Sequence, residues 1–210
     1  MTLTLKQRRI ILLVAALASA GIVFTINNPF AGNPTLITVS ETGEVVEVTL
    51  GLVPNTNLAK TDKGVGVKVG EAAPNFILGD QHDNPVALDD YRGKAVLVNF
   101  WATWCPFCLE EMPDLQRISE EFKDDVVVLG INNMESPGQG ESYVADLDVT
   151  YPVLYFPDDD EIVNAYDVFA MPTTYYLDRD GIVRVVWRGF DNVEGMREKV
   201  NRTLQGVSEG

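Results

Sequence analysis

Cysteine and histidine are nearly absent from this chain of 210 residues, which has two cysteines, Cys105 and Cys108, and one histidine, His82. So few cysteines exclude a framework of structural disulfides, and a bridge across a two-residue spacer closes too small a loop to stabilise much. A zinc site would need two ligands beyond the pair, and His82 is the single histidine on offer. Haem attachment through CxxCH fails because Leu109 follows Cys108. No cysteine stands near the N-terminus to carry a lipid. Acidic residues are missing before Glu41, and basic ones are scarce after it. Lys6, Arg8 and Arg9 stand within the first ten positions, leaving 13 basic residues against 31 acidic ones, a balance of −18, from residue 41 onward. Such a surface repels phosphate backbones and anionic head groups, which argues against a nucleic-acid partner and for high solubility. Internal repeats and low-complexity tracts are also missing.

Ile10 to Ile26 is a run of 17 residues without a charge, at the short end of what crosses a bilayer as a helix. Preceded by Lys6, Arg8 and Arg9, it predicts a single-pass anchor with the N-terminus cytoplasmic and the remainder extracytoplasmic. Ala18-Ser19-Ala20 offers the alternative of a cleaved signal peptide, and either route exports the domain. Arg8-Arg9 could open a twin-arginine signal, but the residues after this pair match such a signal poorly. Residues 1–34 are therefore expected to be stub, transmembrane helix and linker, with Asn27 to Pro34 supplying turn formers. Residues 35–68 are expected to form a short β-rich connector. In it Leu36 to Ser40 and Val45 to Leu50 flank a hairpin turn at 41–44, and an exposed stretch runs on from Gly51 to Gly70.

From Val69 to the end, residues 69–210, the pattern is that of one α/β domain. Phe76 to Leu78, Ala95 to Trp101, Val126 to Ile131, Val153 to Tyr155, Thr173 to Leu177 and Ile182 to Trp187 are apolar enough for strands, Ala95 to Trp101 for one buried on both faces. Asp178 to Gly181 is expected to turn the last two into a hairpin. Helices are expected where Leu109, Met112, Leu115, Ile118 and Phe122 recur at three- and four-residue spacing, around Glu141 to Leu147, near Ile162 to Tyr166, and over Val193 to Leu204.

Cys105-Pro106-Phe107-Cys108 stands where a buried strand gives way to a helix. Pro106 suits the first helical position, because its missing amide hydrogen would be unpaired there anyway. Cys105 then caps the helix, and the free amides and dipole at that end pull its thiol below the ordinary range. Cys108, one turn on, is the less exposed sulfur. Cys105 is expected to attack a substrate disulfide, and Cys108 to resolve the mixed disulfide. Glu111 shares a helix face with Cys108 and is a candidate proton acceptor, the alternative being a solvated glutamate. His82 is expected in a surface turn. Asp158, Asp159, Asp160 and Glu161 lack the spacing of a calcium loop.

The run from Val98 to Cys108 resembles the active-site segment of the thioredoxin superfamily. Met171-Pro172-Thr173-Thr174 resembles its second hallmark, a loop whose proline is cis and packs against the cysteines. Pro113 matches the proline that kinks the active-site helix. The resemblance covers about residues 69 to 205. It is closest to the TlpA/ResA type, on the lead-in Val69 to Phe76, on Trp104-Cys105-x-x-Cys108 and on Glu111. It implies a thioredoxin fold, a central mixed β-sheet flanked by helices, and an extracytoplasmic, membrane-tethered reductant of protein disulfides, for instance those of apocytochrome c. A membrane-embedded thiol carrier would be its electron donor, no cofactor would be needed, and the protein would act as a monomer. Cys105, Cys108, Glu111 and Pro172 would be catalytic, with substrate contacts from Trp104, Pro106, Phe107, Met171 and Thr173. Trp101 and Trp104 are candidates for an apolar rim around the sulfurs, core packing being the alternative for either. Asn99 stands where cytosolic thioredoxins carry a buried aspartate, which leaves Glu111 as the acid-base group.

Three other functions share the pattern. A disulfide-forming oxidant would use the same two cysteines, since Pro106 and Phe107 do not reveal the reduction potential. A copper-delivery protein on this fold would need CxxxC and a later histidine, both missing. A peroxiredoxin has a similar fold and lead-in but would have proline at position 98, where this chain has Val98.

Overall fold

The computed structural model describes residues 64–208 apart from 81, 83, 134, 136 and 156–160, together with the backbone of four short strands upstream. Three of these, β1 (Phe24–Ile26), β2 (Thr35–Val39) and β3 (Val45–Thr49), form an antiparallel sheet in the order β1-β2-β3. The expected hairpin is β2–β3, with Val39 opposite Val45. Phe24–Ile26, expected to end the membrane helix, are instead extended and pair with Thr35 to Ile37; aromatic and β-branched side chains favour that state. The rest of the expected span lies outside the described residues, and among those residues no helix is long and apolar enough to cross a membrane. The fourth strand, β4 (Gly51–Leu52), corrects the expectation of an exposed connector beginning at Gly51, because it pairs antiparallel with β5 (Phe76–Asp80) at the edge of the main sheet.

The remaining strands are β6 (Pro85–Ala87), β7 (Ala95–Trp101), β8 (Val126–Asn132), β9 (Val153–Tyr155), β10 (Thr173–Leu177) and β11 (Val183–Arg188). They complete a mixed sheet in the order β11-β10-β7-β8-β9-β5-β4, with β6 paired to β5. Its helices are α1 (Pro106–Glu121), α2 (Pro137–Asp146), α3 (Glu161–Ala165) and α4 (Val193–Leu204). The architecture is the thioredoxin-type α/β fold expected from the sequence.

All seven residues of β7 are buried, between parallel β8 and antiparallel β10. Side chains alternate across a strand, so Leu97 and Trp101 enter one core with Met112, Leu115 and Ile118 of α1 and Met196 and Val200 of α4. Val96, Val98 and Phe100 enter a second core on the opposite face, with Ile162 of α3, Tyr166 and Tyr175. A parallel pair needs a crossover connection, and α1 supplies it between β7 and β8. The lead-in is sewn to the β10–β11 hairpin: Gly70 donates to the Val183 carbonyl at 2.8 Å, and Ala73 to that of Gly181 at 3.0 Å. Gly181 has φ +74°, the left-handed backbone conformation that favours glycine, and the Arg92 guanidinium lies over it.

Candidate active site

The chain leaves the sheet at Trp101 and enters α1 at Pro106, which places the cysteines at the C-terminal end of β7. Cys105 is the N-cap of α1, with φ −99° and ψ 100°, and Pro106 opens the helix. The Cys105 Sγ accepts from the Cys108 amide at 3.2 Å, so its sulfur takes the place of a capping oxygen. A disulfide joins Cys105 to Cys108, with Cα atoms 5.3 Å apart. Cys105 is 5% exposed and Cys108 fully buried. Cys105 is thus the less enclosed of the two and lies on the outer side of the pair.

Behind the disulfide α1 buries Cys108 and Glu111 on the face that carries Met112, Leu115 and Ile118. Glu111 is 1% exposed. One carboxylate oxygen accepts from Asn99 Nδ2 at 2.8 Å and the other from the Asp191 amide at 3.2 Å. Asn99 Nδ2 also donates to Thr174 Oγ1 at 2.9 Å, which ties β7, β10 and α1 together. Burial pushes the Glu111 carboxyl up to about 8, helped by the charges of Asp191 and Asp114 and opposed by its two hydrogen bonds. A carboxyl in that range exchanges a proton with a thiol at little free-energy cost.

The loop in front of the sulfurs is held by Glu135, a residue that sequence reasoning missed. Its carboxylate accepts from the Thr103 amide at 2.8 Å, from the Thr103 hydroxyl, and from Asn132 Nδ2 at 2.9 Å. Asn133 donates twice, its amide to the Trp101 carbonyl at 2.8 Å and its side chain to Met171 Sδ at 3.9 Å. The end of β8 thus braces both the approach to Cys105 and the loop before β10. The Met171–Pro172 peptide bond is cis, as the resemblance implies.

Around the sulfurs lie exposed aromatics, Trp104 (67% exposed) and Phe107 (59%), with Pro106 also exposed and Met171 half-buried. Phe190 packs against Phe107 with ring centroids 6.5 Å apart, and the Arg188 guanidinium sits 4.8 Å from the ring of exposed Phe169. Two expectations are corrected. Trp101 is fully buried in the core rather than on the rim. Thr173 is fully buried, its hydroxyl donates to the Ala170 carbonyl at 2.7 Å, and its backbone pairs with Phe100 and Arg188, so its side chain cannot meet a substrate. His82 is exposed in its turn, where its amide donates to Asp80 Oδ1 at 2.7 Å. Asp158, Asp159 and Asp160 lie outside the described residues, and Glu161 opens α3. Among the described residues no group of three or more His, Cys, Asp or Glu could hold a metal ion.

Residues 69–186 match the AhpC/TSA family, more than half of the chain. The chain belongs to this family. Among its relatives, thioredoxin-like protein YneN of Bacillus subtilis is 35% identical over 143 residues, covering 66% of this chain and 82% of that one. Thiol-disulfide oxidoreductase ResA of Geobacillus kaustophilus is 34% identical over 142 residues, covering 67% and 79%. A thiol:disulfide interchange protein of the thioredoxin family from Chlorobium tepidum superposes with a TM-score of 0.58 at 26% identity, covering 63% of this chain and 95% of that one. Together with the two cysteines at the head of α1, these place the chain within the TlpA/ResA type of the thioredoxin superfamily.

Proposed function

We propose that this thiol-disulfide oxidoreductase works as an extracytoplasmic reductant of protein disulfides. The observation that carries the exchange chemistry is the order of the two sulfurs: Cys105, 5% exposed, is the outer one at the head of α1, and Cys108 is fully buried on the helix face that carries Glu111; the reducing direction follows the resemblance. In the reduced protein the Cys105 thiolate attacks one sulfur of a substrate disulfide, forming a mixed disulfide and releasing one substrate thiolate. Cys108 then passes its proton to the Glu111 carboxylate, and its thiolate attacks Cys105 Sγ. The second substrate thiolate leaves, the Cys105–Cys108 disulfide forms, and both substrate thiolates take up protons from water, while Glu111 keeps the proton it received from Cys108. Two electrons pass from the protein to the substrate. In the disulfide form Glu111 keeps a proton at neutral pH, the state in which the resolving step leaves it.

Trp104, Phe107 and Met171 would line the approach of an extended substrate segment, with Pro106 and the loop at Pro172 shaping it. The uncharged run from Ile10, preceded by Lys6, Arg8 and Arg9, supports export of the catalytic domain, residues 69–210, with the run before Phe24 as anchor or signal segment. Residues 1–34 would then be stub, anchor and linker, and 35–68 a spacer or docking element. A membrane-embedded thiol carrier would return electrons to the pair, and apocytochrome c is the client that the resemblance suggests.

A direct test incubates the reduced full chain with a peptide carrying an oxidised CxxCH motif and tracks peptide thiols by alkylation and mass spectrometry. Stoichiometric transfer of the disulfide to Cys105 and Cys108 is expected. A peptide that stays oxidised beside reduced protein would overturn the reading.

A further inference from the structure

Behind Glu111 the fold buries a second pair of charges that the exchange steps do not use. Asp191 and Lys199 are each 8% exposed, and Lys199 Nζ lies 2.9 Å from Asp191 Oδ2. The same ammonium sits 3.8 Å from the centroid of the Trp187 ring and donates to the Gly195 carbonyl at 3.3 Å. Asp191 Oδ2 also faces the Tyr176 hydroxyl at 3.5 Å, and Asp191 Oδ1 accepts from the Asn192 amide at 3.1 Å. A side chain at Gly195 would overlap the Asp191 carboxylate, so the first turn of α4 carries a glycine, a poor helix former, where the ion pair needs room. Removing two charges from water is costly, and Asp191, whose carboxylate is one half of the pair, holds the acid-base group with its backbone amide at 3.2 Å.

The groups that face Glu111 are Asn99 from β7, Cys108 and Asp114 from α1, Tyr151 from the segment before β9, and Asp191 from the segment before α4. None of them is a cation. Positive charge reaches this surrounding from Lys199, by way of Asp191.

We propose that the Asp191–Lys199 pair is a positioning device for Glu111, in which the Asp191 amide fixes the carboxylate and Lys199, by balancing Asp191, sets how readily Glu111 exchanges its proton with Cys108. This rests on the reading that Glu111 serves the resolving step. Asp191 alone would repel a charged Glu111, and Lys199 alone would attract one; together they hold it between these limits. Two single substitutions therefore act in opposite directions. Lys199→Met leaves the Asp191 charge unbalanced, and Asp191→Asn keeps the amide but leaves the Lys199 charge unbalanced.

The test is the pH profile of oxidised-peptide reduction by the full chain, measured for the wild type, E111Q, K199M, K199R, D191N and the D191N/K199M double variant. The limb that disappears in E111Q belongs to Glu111. We expect K199M to move that limb upward and D191N to move it downward, each by about one pH unit, with K199R close to wild type and the double variant between the two single variants. If K199M does not fold, the downward shift in D191N decides the question, and if D191N does not fold, the upward shift in K199M does. Folded single variants whose limb stays at the wild-type pH would overturn the proposal and leave the pair a purely structural one. A limb that persists in E111Q would instead overturn the role of Glu111, and with it the basis of the proposal.

Discussion

Replacing Glu111 by glutamine should change how stability depends on pH, and the size of the change is set by the site. A glutamate in the unfolded chain titrates near 4.5, whereas burial in the oxidised folded protein keeps the proton on Glu111 until about 8. Between those values the folded state binds a proton that the unfolded state has lost, so stability falls as pH rises. At about 1.4 kcal/mol per pH unit the whole difference is about 5 kcal/mol, of which about 4 kcal/mol falls between pH 5 and pH 9. Glutamine stays neutral throughout and carries none of this dependence. It has one oxygen where Glu111 uses two, to accept from Asn99 and from the Asp191 amide, a loss of about 1–3 kcal/mol that cancels when one variant is compared with itself at two pH values. Urea unfolding of both oxidised full chains, monitored by tryptophan fluorescence, should show the wild type losing about 4 kcal/mol more than E111Q between pH 5 and pH 9. Parallel losses, within about 1 kcal/mol of each other, would refute the claim that burial holds a proton on Glu111.

Cys108→Ser should accumulate a mixed disulfide between Cys105 and a peptide substrate, visible by mass spectrometry, whereas Cys105→Ser should form none. Glu135→Gln places an amide NH2 against donors from Thr103 or Asn132 and should lower stability by about 1–3 kcal/mol in urea titrations. Trp104→Ala removes an exposed side chain: stability should stay within about 0.5 kcal/mol of wild type, while KM for a protein disulfide rises and the rate with a small aromatic disulfide holds.

The elements that carry the sulfurs were legible because local pattern and tertiary role agree there. A short, nearly all-apolar run reads as a strand buried on both faces, and β7, with Asn99 as its one polar residue, is buried along its whole length. The spacing of Met112, Leu115 and Ile118 marks the inner face of α1, and Cys108 and Glu111 fall on that face at the same period. Thr173 shows where this reasoning stops: its place in the motif suggested contact with substrate, but β10 lies between β7 and β11, and pairing on both sides consumes its backbone. Glu135 was illegible because a carboxylate between a strand and a helix normally meets water, and its partner Thr103 lies 32 residues away in the chain. Lys199 left a faint trace, a lysine among the buried positions Met196, Val200 and Thr203 of α4. What buries it is Asp191, beyond the reach of helical periodicity. Gly51–Leu52 looked like connector because two residues carry no period at all, and only the pairing with Phe76 and Ile77 makes them a strand.

The equilibrium reduction potential of the Cys105/Cys108 couple tests the central claim most directly, measured on the full chain against glutathione and dithiothreitol with tryptophan fluorescence as the signal. The account predicts a potential of about −270 mV or lower, that of a reductant of the thioredoxin kind. A potential near about −120 mV would contradict it, because the pair would then draw electrons from protein thiols and form disulfides in them.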